Sequence, residues 1–340
     1  MDVVVARHGR LRRAPRADVA LYHVGNDPQM HGWIVEALRR RPGVVVLHEF
    51  VLHHLVSGIT LARGDVEGYL AALEREAGPE GRELGQAVQQ GRIEPLWESR
   101  PHDYPLAAEV LDLATGLIVH SRHVEERARE AGFAGPIWRI PMPAWPLPAV
   151  DAAQIEGDPV FGCFGHINES KQIPRLLRAF AEVRERRASA RLLLVGKASD
   201  RMPPFDIGPG VIREEYVPED QLWALMLAAD VHICLRRPTM GETSAVAIRA
   251  ISAGRPLVVD DVGWFSELPD QVALKVAAEP ESLTAALVAL AADPDRRARM
   301  GAAALELART EHDLDHVADL YAAALAEAAA PARRELVRQA

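Results

Sequence analysis

The stretch from Val231 to Val259 constrains the fold most, because it predicts a strand, a polar loop, a helix and a second strand in direct succession. The apolar run Val231–Leu235 stops at two arginines and a proline, which indicates the end of a buried strand. Residues 241–244 then supply a glycine, a carboxylate and two helix-capping hydroxyls before the helical pattern of 245–253. The succession predicts one crossover of an α/β fold, and the start of its helix favours an anion.

The same alternation recurs along most of the chain. Further strands are predicted at 17–24, 43–48, 114–119, 136–140, 159–164, 191–195, 211–217 and 256–259. Four prolines between Pro141 and Pro148 cannot continue a helix or a central strand, and they predict a domain boundary. We therefore expect domains at 1–145 and 146–312, a helical insertion at 56–105 within the first domain, and a final helical segment at 313–340.

The composition excludes several classes of protein. The formal net charge of -9 argues against general nucleic-acid binding, which calls for a basic surface. The sequence shows no apolar run of the roughly 18 residues that a membrane span needs and no signal-peptide pattern, so we expect a cytoplasmic protein. Cys163 and Cys234 each fall in a predicted buried strand and are expected to pack in a core.

The first sixteen residues carry five arginines, from Arg7 to Arg16. A solvated basic loop is one interpretation of this segment. A patch that binds anionic lipid is the other, and it would place the protein at the inner face of the membrane.

Polar side chains follow two of the predicted strands where open α/β sheets place their ligands. The strand at 159–164 runs into Gly165 and His166, and Lys171 follows in the same loop between strand and helix. Lysine is a permanent point charge for phosphate, whereas histidine is charged only part of the time near neutral pH. His48 ends the strand at 43–48. His53 and His54 lie close after it, but no carboxylate or cysteine completes a metal-ligand spacing, so no metal site is predicted.

The stretch at 236–269 resembles the nucleotide-sugar-binding segment of the GT-B glycosyltransferases, specifically the retaining family 4. Glu242 matches the first glutamate of the family's E-x7-E motif. The tail of the motif is matched by Ala250, Ala253, Gly254, Pro256, Val258 and Val259. The link to the tail is one residue short, and the second glutamate, which usually holds the ribose, falls on Arg249. The sequence is similar to a bacterial variant that carries GETS and an arginine here.

This resemblance implies an α/β fold of GT-B type, with two Rossmann-like domains whose parallel sheets face each other across a cleft. It implies transfer of a sugar from a nucleotide diphosphate donor, with retention of anomeric configuration and without a metal or further cofactor. The acceptor would be a carbohydrate, a lipid-linked molecule or a small molecule. The last helix would return to the amino-terminal domain. The chain lacks the family's first strand and Gly-rich turn, so we expect a truncated amino-terminal domain.

The resemblance also assigns roles to residues. His48 and Glu242 are the expected catalytic residues, with Glu242 holding hydroxyls of the transferred sugar. The expected donor-binding residues are Gly165, His166, Lys171, Gly241, Thr243, Ser244, Ala245 and Arg249. The family's diphosphate motif reads G-R-x-x-x-x-K-G; Lys171 matches its lysine, and His166 replaces its arginine.

Two other functions stay open at this point. The departures at His166 and Arg249 suit a catalytically weakened, glycosyltransferase-like binding or regulatory protein, which turnover of a nucleotide sugar would distinguish from the enzyme. A different Rossmann-type enzyme, such as an epimerase or a dehydrogenase, would need a G-x-G-x-x-G turn after a strand, and the sequence has none.

Overall fold

The structure is a computed structural model that describes Val3, Val5 and residues 17–330 of the 340-residue chain. The segment with the five arginines lies outside the described residues. The chain forms two compact units. The first comprises Met1–Ile140, Met240–Glu242 and Ala318–Ala340, and the second comprises Pro141–Thr239 and Thr243–Val317.

The first unit is built on a sheet of four parallel strands in the order β1-β2-β3-β4. The strands are β1 (Leu21–Val24), β2 (Gly43–Leu47), β3 (Ala114–Val119) and β4 (Ile137–Arg139). Every residue of β2 is buried, as its continuous apolar sequence GVVVL predicts for a central parallel strand.

The helices of the first unit are α1 (Pro28–Arg40), α2 (His53–Ile59), α3 (Val66–Gln89), α4 (Leu96–Ser99), α5 (Ala108–Leu113) and α6 (Arg122–Glu130). The side chain of Asp27 caps α1, and that of Ser121 caps α6. Helix α3 is interrupted at Ala77 and Gly78, just before a proline. The stretch at 56–105 is helical, and a small core of its own includes Tyr69 and Leu73.

The second unit contains six parallel strands in the order β10-β9-β8-β5-β6-β7. They are β5 (Val160–Phe164), β6 (Arg191–Val195), β7 (Val211–Glu214), β8 (Val231–Cys234), β9 (Leu257–Asp260) and β10 (Ala273–Val276). The chain leaves β5 toward β6 and β7, and it later runs from β8 toward the opposite edge. The strand order therefore reverses between β5 and β8, which is the point where open parallel sheets bind ligands beyond their carboxyl ends.

The helices of the second unit are α7 (Ile173–Arg186), α8 (Glu219–Ala228), α9 (Ala245–Ser252), α10 (Pro280–Ala292) and α11 (Pro294–Thr310), followed by α12 (Leu314–Ala329). The division between the units falls within α12, after Val317. In the first unit, Trp138 Nε1 donates a hydrogen bond to Glu327 Oε2 at 2.9 Å. Among the described residues, no helix is both long and apolar enough to cross a membrane.

The predicted α/β class is confirmed, and the bounds of β3 and β6 agree with those expected from the sequence. Both cysteines are buried, as expected, and both are free thiols. Strand β10 was not among the strands predicted from the sequence. It has only four residues, one of them Lys275, and it lies at the sheet edge, so its sequence carries little strand pattern. The domain limits proposed from the sequence stay a prediction.

Candidate functional site

Two loops meet at the carboxyl end of the sheet in the second unit. One follows β5 and begins at Gly165; the other follows β8 and leads into α9. Gly165 has a φ of +91°, and a Cβ atom at this position would lie 3.3 Å from Val246 Cγ2 in the first turn of α9. A larger residue would be strained here and would push the loop away from the helix start.

Lys171 is a buried cation in the first of these loops. Its side chain is 5% exposed, and Nζ donates a hydrogen bond to the carbonyl oxygen of Phe164 at 2.6 Å. No carboxylate among the described residues forms an ion pair with it. Because an ammonium group buried without a counter-charge is costly, this arrangement calls for an anionic ligand.

The start of α9 offers further groups to an anion. Ser244 caps the helix, since its Oγ accepts from Ala247 N at 3.3 Å and its carbonyl accepts from Ile248 N at 3.0 Å. The first backbone N–H groups of the helix, at Ala245 and Val246, donate no hydrogen bond to an acceptor within the described part of the chain. Thr243 Oγ1 is buried there and has no hydrogen-bond partner among the described residues.

Asp260, at the end of β9, ties the two loops together. Its side chain is fully buried, and its Oδ2 accepts from Gln172 Nε2 at 2.7 Å and from the backbone nitrogen of Arg236 at 2.7 Å. Its Oδ1 lies 3.2 Å from Arg175 Nη1. Gln172 follows Lys171 directly, so this carboxylate fixes both the turn that carries the buried lysine and Arg236, the second residue after β8.

Two predicted donor-binding residues lie outside these contacts. His166 is exposed. Arg249 is directed at α8, where its Nη2 lies 3.0 Å from Glu219 Oε1 and its guanidinium carbon lies 5.4 Å from the centre of the Trp223 ring. Arg249 therefore binds a carboxylate of the protein itself. Its role in donor binding stays a prediction.

His48 belongs to an imidazole cluster in the first unit. Its Nε2 lies 3.0 Å from His23 Nδ1, and its ring centre lies 5.3 Å from that of His120. Burial, and then the neighbouring imidazoles of His120, His23 and His31, lower the pKa of His48 to about 3. The ring is therefore neutral near pH 7 and can exchange hydrogen bonds, but it does not act as a cation there.

Gly241 and Glu242 belong to the first unit, whereas Thr243 and Ser244 belong to the second. The carbonyl of Met240 accepts from the backbone nitrogens of Phe50 and Val51 at 3.0 and 3.1 Å. Glu242 Oε2 accepts from Met240 N at 2.8 Å, so part of this carboxylate is engaged by its own loop.

His53 has a structural partner on each side. It is fully buried, with Nδ1 2.6 Å from the carbonyl oxygen of Tyr104 and Nε2 2.9 Å from the hydroxyl of Tyr69. Burial lowers its pKa to about 4. These contacts account for both ring nitrogens.

Local sequence patterns did not single out Arg236, Asp260, His23 or His120. Arg236 could have been found from its place directly beyond the apolar run of β8. Asp260 and the two histidines gave no signal, because their partners are distant in the sequence and are brought close only by the parallel sheets.

Residues 158–293, which span the sheet of the second unit and most of its helices, match the family model described as Glycosyl transferases group 1. This part of the chain is a glycosyltransferase domain. A comparison with curated protein sequences finds no match.

Solved glycosyltransferase-like structures share the fold at low sequence identity. Sucrose-phosphate synthase from Thermosynechococcus elongatus is 19% identical, with a TM-score of 0.59 over 90% of this chain and 74% of that one. Anabaena Alr3699/HepE, in complex with UDP-glucose, is 15% identical, with a TM-score of 0.61 over 90% and 78%. The E. coli trehalose-6-phosphate structure bound with UDP-2-fluoro glucose is 11% identical, with a TM-score of 0.55 over 86% and 76%. The predicted GT-B fold is confirmed.

Proposed function

We propose that this glycosyltransferase moves a sugar from a nucleotide diphosphate donor to an acceptor with retention of anomeric configuration. The observation that carries the proposal is the buried Lys171, whose ammonium lacks a carboxylate partner among the described residues and lies at the point where the strand order of the second unit reverses. A diphosphate supplies the missing negative charge.

The reaction needs the leaving diphosphate to be stabilised while its bond to the sugar breaks. Groups that are fixed before the reaction do this best, because they need no reorganisation as the charge develops. Lys171 is fixed by its hydrogen bond to Phe164, and the amides at the start of α9 are fixed by the Ser244 cap. The positive end of the helix adds to the same attraction.

UDP-sugars are the first donors to test, since two of the structural neighbours were solved with a uridine nucleotide sugar. Membership of family 4, retention, independence of metals and the cytoplasmic location rest on the sequence. So do the roles of His48 and Glu242 in recognising the sugar. The acceptor stays a carbohydrate, a lipid-linked molecule or a small molecule.

The test combines binding and turnover. The thermal midpoint is measured with UDP, GDP, ADP and TDP and their sugars, and a ligand at a hundred times its dissociation constant adds about 2.7 kcal/mol of stability. Release of nucleoside diphosphate from the stabilising donor then reports turnover. Binding that is lost in Lys171→Met supports the proposal. Binding without turnover on any acceptor class supports the weakened, glycosyltransferase-like protein instead, and no binding by the folded protein contradicts both.

A further inference from the structure

Arg236 lies against the turn that carries Lys171. Its Nη1 is 3.2 Å from Ser170 Oγ, and Ser170 directly precedes the buried lysine. The next residue, Arg237, donates its backbone N–H to the carbonyl oxygen of Ser170 at 2.9 Å. The residues that follow β8 are therefore joined to the turn after β5 by both a side-chain and a backbone contact.

The position of Arg236 is fixed from a second direction. Its backbone nitrogen donates to Asp260 Oδ2, and the same oxygen accepts from Gln172, the residue after Lys171. Contacts thus hold Arg236 to the residues on both sides of the lysine. A guanidinium held in this way is prepared to bind an anion without reordering its backbone.

The two cations act on the same buried groups. Lys171 and Arg236 both work electrostatically to lower the pKa of the Cys163 and Cys234 thiols, although burial outweighs them and raises each thiol pKa. The ion pairs of Asp260 go to Arg175 and Arg237. The charge of Lys171 is therefore not balanced by this carboxylate, and the edge of the sheet between β5 and β8 is suited to a ligand with more than one negative charge.

We propose that Arg236 binds the diphosphate of the donor together with Lys171, and that it supplies the guanidinium that position 166 lacks. This inference rests on the proposed function. His166 is exposed and offers an imidazole where the resembled motif has an arginine. A guanidinium binds phosphate oxygens through two parallel N–H groups, which a single imidazole cannot reproduce. In this chain the arginine comes from the end of β8 instead of the turn after β5.

Arg236→Gln tests the inference by calorimetric titration with UDP, inorganic pyrophosphate and uridine. Glutamine removes the charge and keeps an N–H donor for Ser170. We expect the affinity for UDP and pyrophosphate to fall by about tenfold or more, as for the loss of one charged hydrogen bond, while uridine binding stays unchanged. Arg178→Gln is the matched control, because it removes an exposed arginine from α7.

A second variant tests whether the two positions are interchangeable. His166→Arg, added to Arg236→Gln, should recover most of the lost affinity for UDP, because it returns a guanidinium to the same edge of the sheet. Arg236→Lys keeps the charge and loses the paired N–H groups, so its UDP affinity should be intermediate. If the glutamine variant does not fold, the lysine variant decides, and an affinity equal to wild type would overturn the inference.

The outcomes separate the two proposals. If Lys171→Met loses UDP binding while Arg236→Gln binds UDP like wild type, the role of Arg236 is wrong and the proposed function stands. If the wild-type protein binds none of UDP, GDP, ADP and TDP, the proposed function fails and the inference fails with it. Equal losses of UDP and uridine in Arg236→Gln would show a structural role for Arg236 and would also overturn the inference.

Discussion

Asp260 Oδ2 accepts a hydrogen bond from the backbone nitrogen of Arg236 at 2.7 Å. The donor is the second residue after β8 and the acceptor is the last residue of β9, so the bond joins neighbouring strands where their regular pairing ends. Since Gln172 donates to the same oxygen, one buried carboxylate sets the position of both loops of the candidate site.

The Asp260→Asn variant should lose about 3–5 kcal/mol of stability, as is usual when one partner of a buried ion pair is removed. The amide leaves the buried Arg175 without its counter-charge. Its NH2 group would also face groups that now donate hydrogen bonds to Asp260, such as the Gln172 side chain and the Arg236 backbone N–H. The thermal midpoint of the protein without ligand measures the effect. Asp270→Asn is the control, because its side chain is 85% exposed and its pair with Lys275 contributes little. Equal midpoints for the two variants would contradict this role of Asp260.

Lys171→Met should keep or raise the thermal midpoint in the absence of ligand while abolishing the shift produced by UDP. The unbranched methionine fills a similar volume and relieves the cost of a buried ammonium without a carboxylate partner among the described residues. The comparison is Lys275→Met, which removes a lysine whose partner is exposed. A lower midpoint in Lys171→Met, with the UDP shift retained, would show that the lysine serves the fold alone.

Much of the second unit could be predicted because its parallel strands are short, apolar and separated by clear loops. The buried strand before Gly165 and the capped helix after Ser244 follow from local pattern alone, and both predicted loops lie at the carboxyl edge where the strand order reverses. The position of Lys171 could be predicted for the same reason, since it lies in the loop that directly follows β5.

Contacts between distant parts of the chain could not be predicted. Glu219 precedes Arg249 by thirty residues, and nothing local shows that the arginine binds this carboxylate. His48 was selected from one strand end, but its neighbours His23 and His120 come from β1 and from the end of β3. The order of the strands in each sheet brings such residues together, and this order cannot be deduced from a single sequence.

Gly241→Ala should destabilise the first unit by about 1–3 kcal/mol, as expected for a non-glycine residue held at a positive φ and crowded by its neighbours. Gly241 has a φ of +88°, and its added Cβ would lie 3.1 Å from Phe50 Cβ. Gly64→Ala is the matched control, since its φ is +79° and no atom lies within 4 Å of the added Cβ. The difference between the two thermal midpoints measures the steric part. Identical midpoints would show that the loop at Met240 can move away from Phe50 without cost.

Arg249→Glu should lower the thermal midpoint slightly, because it places a second carboxylate beside Glu219 and removes the guanidinium from the Trp223 ring. The effect should be about 0.5–1 kcal/mol, since the Glu219 side chain is largely exposed. Adding Glu219→Arg restores an opposite pair and should recover part of the loss. The affinity for UDP is measured in the same variants. If Arg249→Glu lowers this affinity and the double variant recovers it, the ion pair supports the site through the fold. If the affinity stays low in the double variant, Arg249 itself contacts the donor.

The imidazole cluster predicts a specific pH dependence for His48. Burial lowers its folded-state pKa from the ordinary 6.5 to about 3, so below pH 6.5 the unfolded chain takes up a proton that the folded one refuses. The stability that His48 contributes is complete above pH 6.5 and is lost progressively as the pH falls toward 3. His48→Gln cannot titrate, so the thermal midpoint of wild type minus that of the variant should shrink between pH 7.5 and pH 5. A difference for His48→Gln that stays constant over this range would show that the imidazole is as free to take up a proton in the folded protein as in the unfolded chain.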